Sequence, residues 1–117
     1  MLLSTAFRSD PVNLSKPHDA VFCSGDIIAA KLIETAEKAG IMVPENLSIV
    51  GVDDAQRFRY MDITSIPQSS EQEGRESFEL LTEIIRHKPT TPVVKKIKCP
   101  LLVRRTTARL QEKSKAA

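Results

Sequence analysis

The sequence predicts an α/β fold built on a parallel sheet. Two short and nearly all-apolar segments, Ala20–Ser24 and Leu47–Val52, are typical of strands that are covered on both faces. Between them, Asp26–Ala39 carries apolar residues at helical spacing. Since antiparallel neighbours would need no intervening helix, this order indicates a right-handed crossover between two parallel strands.

The boundaries of the next elements can be predicted from individual residues. Asp26 is placed to cap free backbone amides at the start of the helix, and Gly40 ends it. After the second strand, a polar stretch around Arg57 and Arg59 favours a short helix. Ile63–Ile66 is the third strand, and the proline that follows closes it.

The remaining segments predict one long helix, one interrupted strand and an irregular start. The long helix covers residues 70–86, with apolar residues on one face: Phe78, Leu81, Ile84 and Ile85. Val93–Lys98 and Leu101–Val103 predict a strand that is broken by a bend at Pro100. Upstream, Leu2–Arg8 can finish a helix, and the prolines in Ser9–Asp19 indicate a loop.

The composition is that of one ordinary globular domain. Of the 117 residues, 41% are apolar and 27% are charged, and no apolar run approaches the ~20 residues that span a bilayer. The first residues lack the basic leader and cleavage site of a secretory signal, so we expect a soluble, cytoplasmic protein. A net charge of only +2 argues weakly for nucleic-acid binding by this segment itself.

The most informative positions follow the predicted strands. Ser24-Gly25-Asp26 and Gly51-Val52-Asp53-Asp54 stand at the carboxyl ends of parallel strands, where open α/β sheets bind ligands. An ionised Asp53 would accept hydrogen bonds from the hydroxyls of a sugar or from a nucleobase. A helix cap followed by a solvated turn explains the two aspartates equally well. Gln68 can both donate and accept, although an exposed loop glutamine is the commoner reason for such a residue.

No pattern in the sequence indicates catalysis. His18 and His87 have no nucleophile or metal-ligand partner at motif spacing, and the two cysteines are too few for a zinc site. The serine at 24 lacks the flanking glycines of a nucleophile elbow, and the four glycines build no phosphate loop. We therefore predict a binding module that is not an enzyme and that holds no metal and no cofactor.

Two long segments of the sequence match a known pattern. Asp19–Asp26 and Ala39–Asp54 resemble the effector-binding domain of the lactose-repressor/galactose-repressor family of bacterial transcription regulators. Ile63–Gln68, Glu73–Arg75 and Leu102–Ala108 resemble later parts of the same domain. The resemblance extends over residues 19–108, in order and at compatible spacing.

The resemblance implies a fold and a ligand site. The family's domain has two lobes of the type I periplasmic-binding-protein kind, with parallel sheets in three layers and a sugar-like effector between the lobes. The resemblance implies that Asp53 and Gln68 line the effector pocket and that Gly25 and Asp26 lie at its floor. Gly25 stands where the family usually has asparagine, so one sugar-contacting amide is missing.

The resemblance also implies a dimer face in this domain and a separate domain that binds DNA. The implied homodimer face comprises Ile27, Ala30, Lys31, Phe58 and Tyr60. The wide apolar surface of the helix from Asp26 suits such a face, although full burial in its own domain explains that surface equally well. DNA would be bound only by a separate helix-turn-helix domain.

The 117 residues are expected to form mainly the carboxy-terminal lobe of that domain, without the first lobe and without the DNA-binding domain. The helix over residues 70–86 would then lose its usual sheet, and its apolar face would need another cover, from which we predict an oligomer. Two alternatives remain open, namely a transport-type periplasmic sugar-binding protein and, more remotely, a flavodoxin-like α/β enzyme.

Overall fold

A three-stranded parallel sheet organises residues 19–110, which are the residues that the computed structural model describes. The elements in chain order are β1 (Ala20–Phe22), α1 (Asp26–Lys38), β2 (Ser48–Asp53), a 3₁₀ helix (Gln56–Met61), β3 (Thr64–Pro67) and α2 (Ser70–His87). Strand β2 lies in the centre and pairs in parallel with both neighbours. The predicted α/β fold and its parallel sheet are confirmed, whereas the predictions for Leu2–Arg8 and for most of Ser9–Asp19 lie outside the described residues.

The core lies between α1 and the sheet. Helix α1 packs chiefly on β2, because its inward residues recur at helical spacing and are buried: Ala29, Ala30, Leu32, Ile33 and Ala36. Ile49 of β2 is fully buried opposite them. Gly40 ends the helix as predicted, with φ at +76°, a backbone conformation that favours glycine.

The segment after α2 returns to the sheet but forms no regular strand. Leu102 makes one isolated antiparallel bridge to Ser65 of β3, and residues 88–101, which precede it, are irregular. The predicted strand over Val93–Lys98 is therefore wrong. A strand needs a neighbouring strand for its backbone groups, and within residues 19–110 no strand pairs with this segment, which Pro89 and Pro92 precede and Pro100 follows.

Helix α2 contains no buried residue. Its apolar face is open to solvent, with Phe78 73%, Leu81 56% and Ile85 64% exposed. One contact to the segment that follows is an ion pair between Lys95 and Glu76, and the hydrogen bond to this glutamate raises the pKa of Lys95. Neither this ion pair nor any other contact in residues 19–110 covers the apolar face.

Candidate functional site

The carboxyl edge of the sheet brings together three of the predicted ligand-binding residues. Asp53, the last residue of β2, is paired in register with Pro67, the last residue of β3, and paired strands lie about 4.8 Å apart. Gln68 is the next residue, and both polar side chains are exposed. Gly25 follows β1 at the same edge, where a Cβ atom built on it would lie 3.4 Å from Asp53 Oδ2.

Asp26 lies beneath this edge and is only 2% exposed. Its Oδ2 accepts a hydrogen bond from the backbone N–H of Ala55 at 2.7 Å, and its Oδ1 accepts one from the Ser65 hydroxyl at 2.8 Å. It does not cap α1, because Gly25 is the N-cap residue and no side chain caps the helix. The predicted capping role is therefore wrong, and the carboxylate instead joins three elements below the site.

The second aspartate of the pair faces away from the open edge. Asp54 Oδ1 lies 2.8 Å from the Arg104 guanidinium and Oδ2 lies 3.3 Å from that of Arg59. Arg104 also donates to the carbonyl oxygen of Ile63 at 2.9 Å. Since the Asp54 side chain is 13% exposed and lies beside two cations, this residue has a structural role, whereas the Asp53 side chain is exposed at the sheet edge.

The backbone at the two aspartates is unusual. Asp53 has φ at +106° and Asp54 has φ at +50°, and residues other than glycine rarely adopt positive φ angles. The Asp54 N–H donates to Ser65 Oγ at 3.1 Å. Sequence reasoning missed Ser65 and Arg104, which lie 39 residues from Asp26 and 50 residues from Asp54 respectively, because no local spacing signals such partners.

The predicted dimer face is only partly at the surface. Ile27 is 52% and Tyr60 77% exposed, Lys31 is exposed, and Phe58 is half-buried. These residues lie on α1 and on the 3₁₀ helix, which contact each other. Ala30, by contrast, is 4% exposed and packs in the core, so its assignment to that face is wrong.

Catalytic or metal-binding chemistry finds little support in the described residues. Cys23 is 2% exposed, and burial, followed by the nearby charge of Asp26, raises the pKa of its thiol to about 11. A thiol with that pKa is a poor nucleophile near neutral pH. Within residues 19–110, no group of three histidine, cysteine or acidic side chains is placed to hold a metal ion. Over the same residues, no helix has both the length and the apolar character that a membrane span requires.

The fold and the polar edge are those of a class of protein, the α/β domains that bind ligands beyond the carboxyl ends of parallel strands. Comparison with known families gives the particular member of that class. Residues 2–107 match the model of the periplasmic binding protein-like domain. The chain belongs to this family, and its relatives among transcription regulators confirm the resemblance to the lactose-repressor/galactose-repressor family.

Individual relatives agree with this assignment. The HTH-type transcriptional repressor PurR of Escherichia coli is 32% identical over 108 residues, which cover 89% of this chain and 32% of the repressor. A complex of the transcriptional regulator CelR with cellobiose is 32% identical with a TM-score of 0.65, over 77% of this chain and 28% of that one. A LacI family regulator from Enterococcus faecium with bound ribose is 29% identical with a TM-score of 0.66, over 84% and 37% respectively. The chain thus spans about a third of the length of the curated relatives that it matches.

Proposed function

We propose that this chain forms one wall of the effector cleft of a bacterial transcription regulator and binds a small polyhydroxy ligand, such as a sugar. The observation that carries the proposal is the strand register that sets Asp53 beside Pro67 and therefore beside Gln68. A carboxylate and an amide at one sheet edge offer acceptors and donors to neighbouring hydroxyls. No covalent step is involved, and the protein acts by binding rather than by catalysis.

The identity of the relatives supports a regulator over the two alternatives. The named relatives are transcription regulators, and two of the solved structures contain ribose or cellobiose. Neither the transport-type protein nor the flavodoxin-like enzyme has comparable support. In our proposal DNA recognition belongs to a helix-turn-helix in another part of the regulator, and ligand binding shifts the balance between DNA-competent and incompetent states.

Gly25 shapes the ligand that this edge would accept. A glycine places no side chain over the Asp53 carboxylate, which lies 3.4 Å from where its Cβ would stand. A ligand could therefore approach Asp53 from the side of β1, but it would find no side-chain amide at position 25. We propose that the effector differs in this contact from the sugars of relatives that carry asparagine there.

A chemical-shift titration of the isotope-labelled chain with D-ribose and with cellobiose tests the ligand. We expect the backbone amides near Asp53 and Gln68 to shift, and Asp53→Asn to weaken binding at least about tenfold, because a hydrogen bond to a charged group contributes roughly 1.5–3 kcal/mol. Asp62→Asn is the control, since Asp62 is an exposed aspartate that precedes β3 at the opposite edge. Indifference to both sugars would contradict the carbohydrate assignment and favour a purine-like or other effector.

We further propose that the chain forms a homodimer through Ile27, Lys31, Phe58 and Tyr60. Tyr60 is 77% exposed, and aromatic residues are enriched at interfaces. The uncovered face of α2 is the competing association surface. Light scattering of Tyr60→Arg and Phe78→Arg separates the two, because only a substitution within the interface lowers the associated fraction. A wild-type chain that is monomeric at all concentrations would refute both.

A further inference from the structure

The backbone of Asp53 and Asp54 adopts a conformation that their own side chains do not favour. Their φ angles are +106° and +50°, so two consecutive L-residues lie in the region where a Cβ atom crowds the main chain. Such conformations persist when the surrounding structure holds them, and they concentrate at functional sites. At this edge of the sheet, the conformation directs the exposed Asp53 side chain outward while Asp54 turns toward Arg104.

A chain of hydrogen bonds holds this turn from below. The Asp54 N–H donates to Ser65 Oγ at 3.1 Å, and the Ser65 hydroxyl donates to Asp26 Oδ1 at 2.8 Å. The Ala55 N–H donates to Asp26 Oδ2 at 2.7 Å. The buried Asp26 carboxylate therefore accepts the Ala55 N–H directly, and it aligns the Ser65 hydroxyl that accepts the Asp54 N–H.

The surroundings leave this carboxylate little freedom to move. Asp26 is 2% and Ser65 0% exposed, so water competes poorly for their hydrogen bonds. Gly51 lies directly beside the carboxylate, and a Cβ at that position would overlap Asp26 Oδ1. On the far side, Arg104 binds Asp54 Oδ1 at 2.8 Å and fixes the other end of the turn.

We propose that Asp26, acting partly through Ser65, is a positioning residue for the effector site. It holds the left-handed backbone at positions 53 and 54 and thereby presents the Asp53 carboxylate at the sheet edge. This role differs from the direct ligand contact expected for Asp26 from sequence, because both of its oxygens are already engaged. The inference rests on the proposed function only in taking Asp53 as the ligand contact.

Amide hydrogen exchange and backbone couplings at residues 53–55 test the proposal. In Ser65→Ala we expect exchange at the Asp54 amide to accelerate roughly tenfold, while the Ala55 amide stays protected by Asp26. In Asp26→Ala we expect both amides to accelerate, and in both variants the positive φ signature at position 53 should be lost. Protection of the Ile33 and Ile49 amides should remain, since general destabilisation would accelerate these as well.

Ser48→Ala is the matched control, because Ser48 lies at the other end of β2 and its hydroxyl accepts from the Ala108 N–H at 3.3 Å. It should leave residues 53–55 unchanged. Retention of the positive φ and of Asp54 protection in Ser65→Ala would overturn the proposal, even if Asp26→Ala failed to fold.

Titration with D-ribose and cellobiose then separates the two hypotheses. If the wild-type chain binds, Ser65→Ala should weaken binding about tenfold and Ser48→Ala should not; unchanged affinity in Ser65→Ala would contradict the positioning role. If neither sugar binds, the effector assignment fails, while the exchange data alone decide whether Asp26 and Ser65 hold the turn.

Discussion

Substituting Gly51 by alanine should destabilise the protein by displacing the Asp26 carboxylate. The new Cβ would overlap Asp26 Oδ1 and lie 3.3 Å from the Cβ of Ala29. Overpacking costs about 1–3 kcal/mol, and the charge-assisted bond from Ser65 contributes about 1.5–3 kcal/mol. The lower entropy of the unfolded alanine chain offsets about 0.4–1 kcal/mol. Because moving the carboxylate relieves part of the overlap, we expect a net loss of roughly 2–4 kcal/mol.

Urea unfolding followed by far-ultraviolet circular dichroism measures this loss. The midpoint of Gly51→Ala should fall by about 1–2 M at an unchanged slope. Gly74→Ala is the control, because no heavy atom lies within 4 Å of its built Cβ and alanine is the better helix former, so the midpoint should hold or rise. In an Asp26→Ala background the cost of Gly51→Ala should drop below about 1 kcal/mol. An equal cost in both backgrounds, or a Gly51→Ala variant as stable as wild type, would refute the reasoning.

Four further predictions concern stability and reactivity. Thr106→Val should cost at least about 2 kcal/mol in urea unfolding, because the fully buried hydroxyl donates to Ile49 O and accepts from Thr64 N–H; a loss below about 0.5 kcal/mol would contradict it. Gly40→Ala should lower the free energy of unfolding by about 1–2 kcal/mol, since φ of Gly40 is +76°. An unchanged urea midpoint would contradict the positive φ at this position. Iodoacetamide should label exposed Cys99 and spare Cys23 until urea unfolds the chain. Equal labelling of both thiols in the native protein would contradict this. Since the folded pKa of Cys23 lies above the unfolded value, the contribution of this thiol to the free energy of unfolding should be constant below pH 9.0 and decline as pH rises toward about 11.

Local patterns predicted most of the secondary structure. The segment Asp26–Ala39 with its helical spacing forms α1, which ends at Lys38, two residues before Gly40. The two apolar segments form β1 and β2, with bounds that differ by one or two residues from those predicted. These signals are reliable because the period of a helix or strand is set by its own backbone. The same reasoning located Asp53 and Gln68 at one sheet edge, since the carboxyl ends of parallel strands coincide.

Residues whose role depends on distant partners were assigned less well. Ala30 was expected at a dimer face but is buried, because only the packing of α1 on β2 decides which side of the helix faces inward. The strand expected over Val93–Lys98 did not form, because strand structure depends on a neighbour rather than on composition. Within residues 19–110, no strand pairs with this segment.

The sequence by itself determined the order of the elements, the parallel sheet, the family and the position of the polar edge, because these follow from periodicity, turn residues and matching segments along the chain. Only the tertiary structure decided that the Asp26 carboxylate hydrogen-bonds to Ala55 and Ser65 at the turn after β2 and does not cap the helix that Asp26 begins. Its partner Ser65 lies 39 residues away, and hydrogen bonds of that range arise only once the strands have paired and closed around the carboxylate.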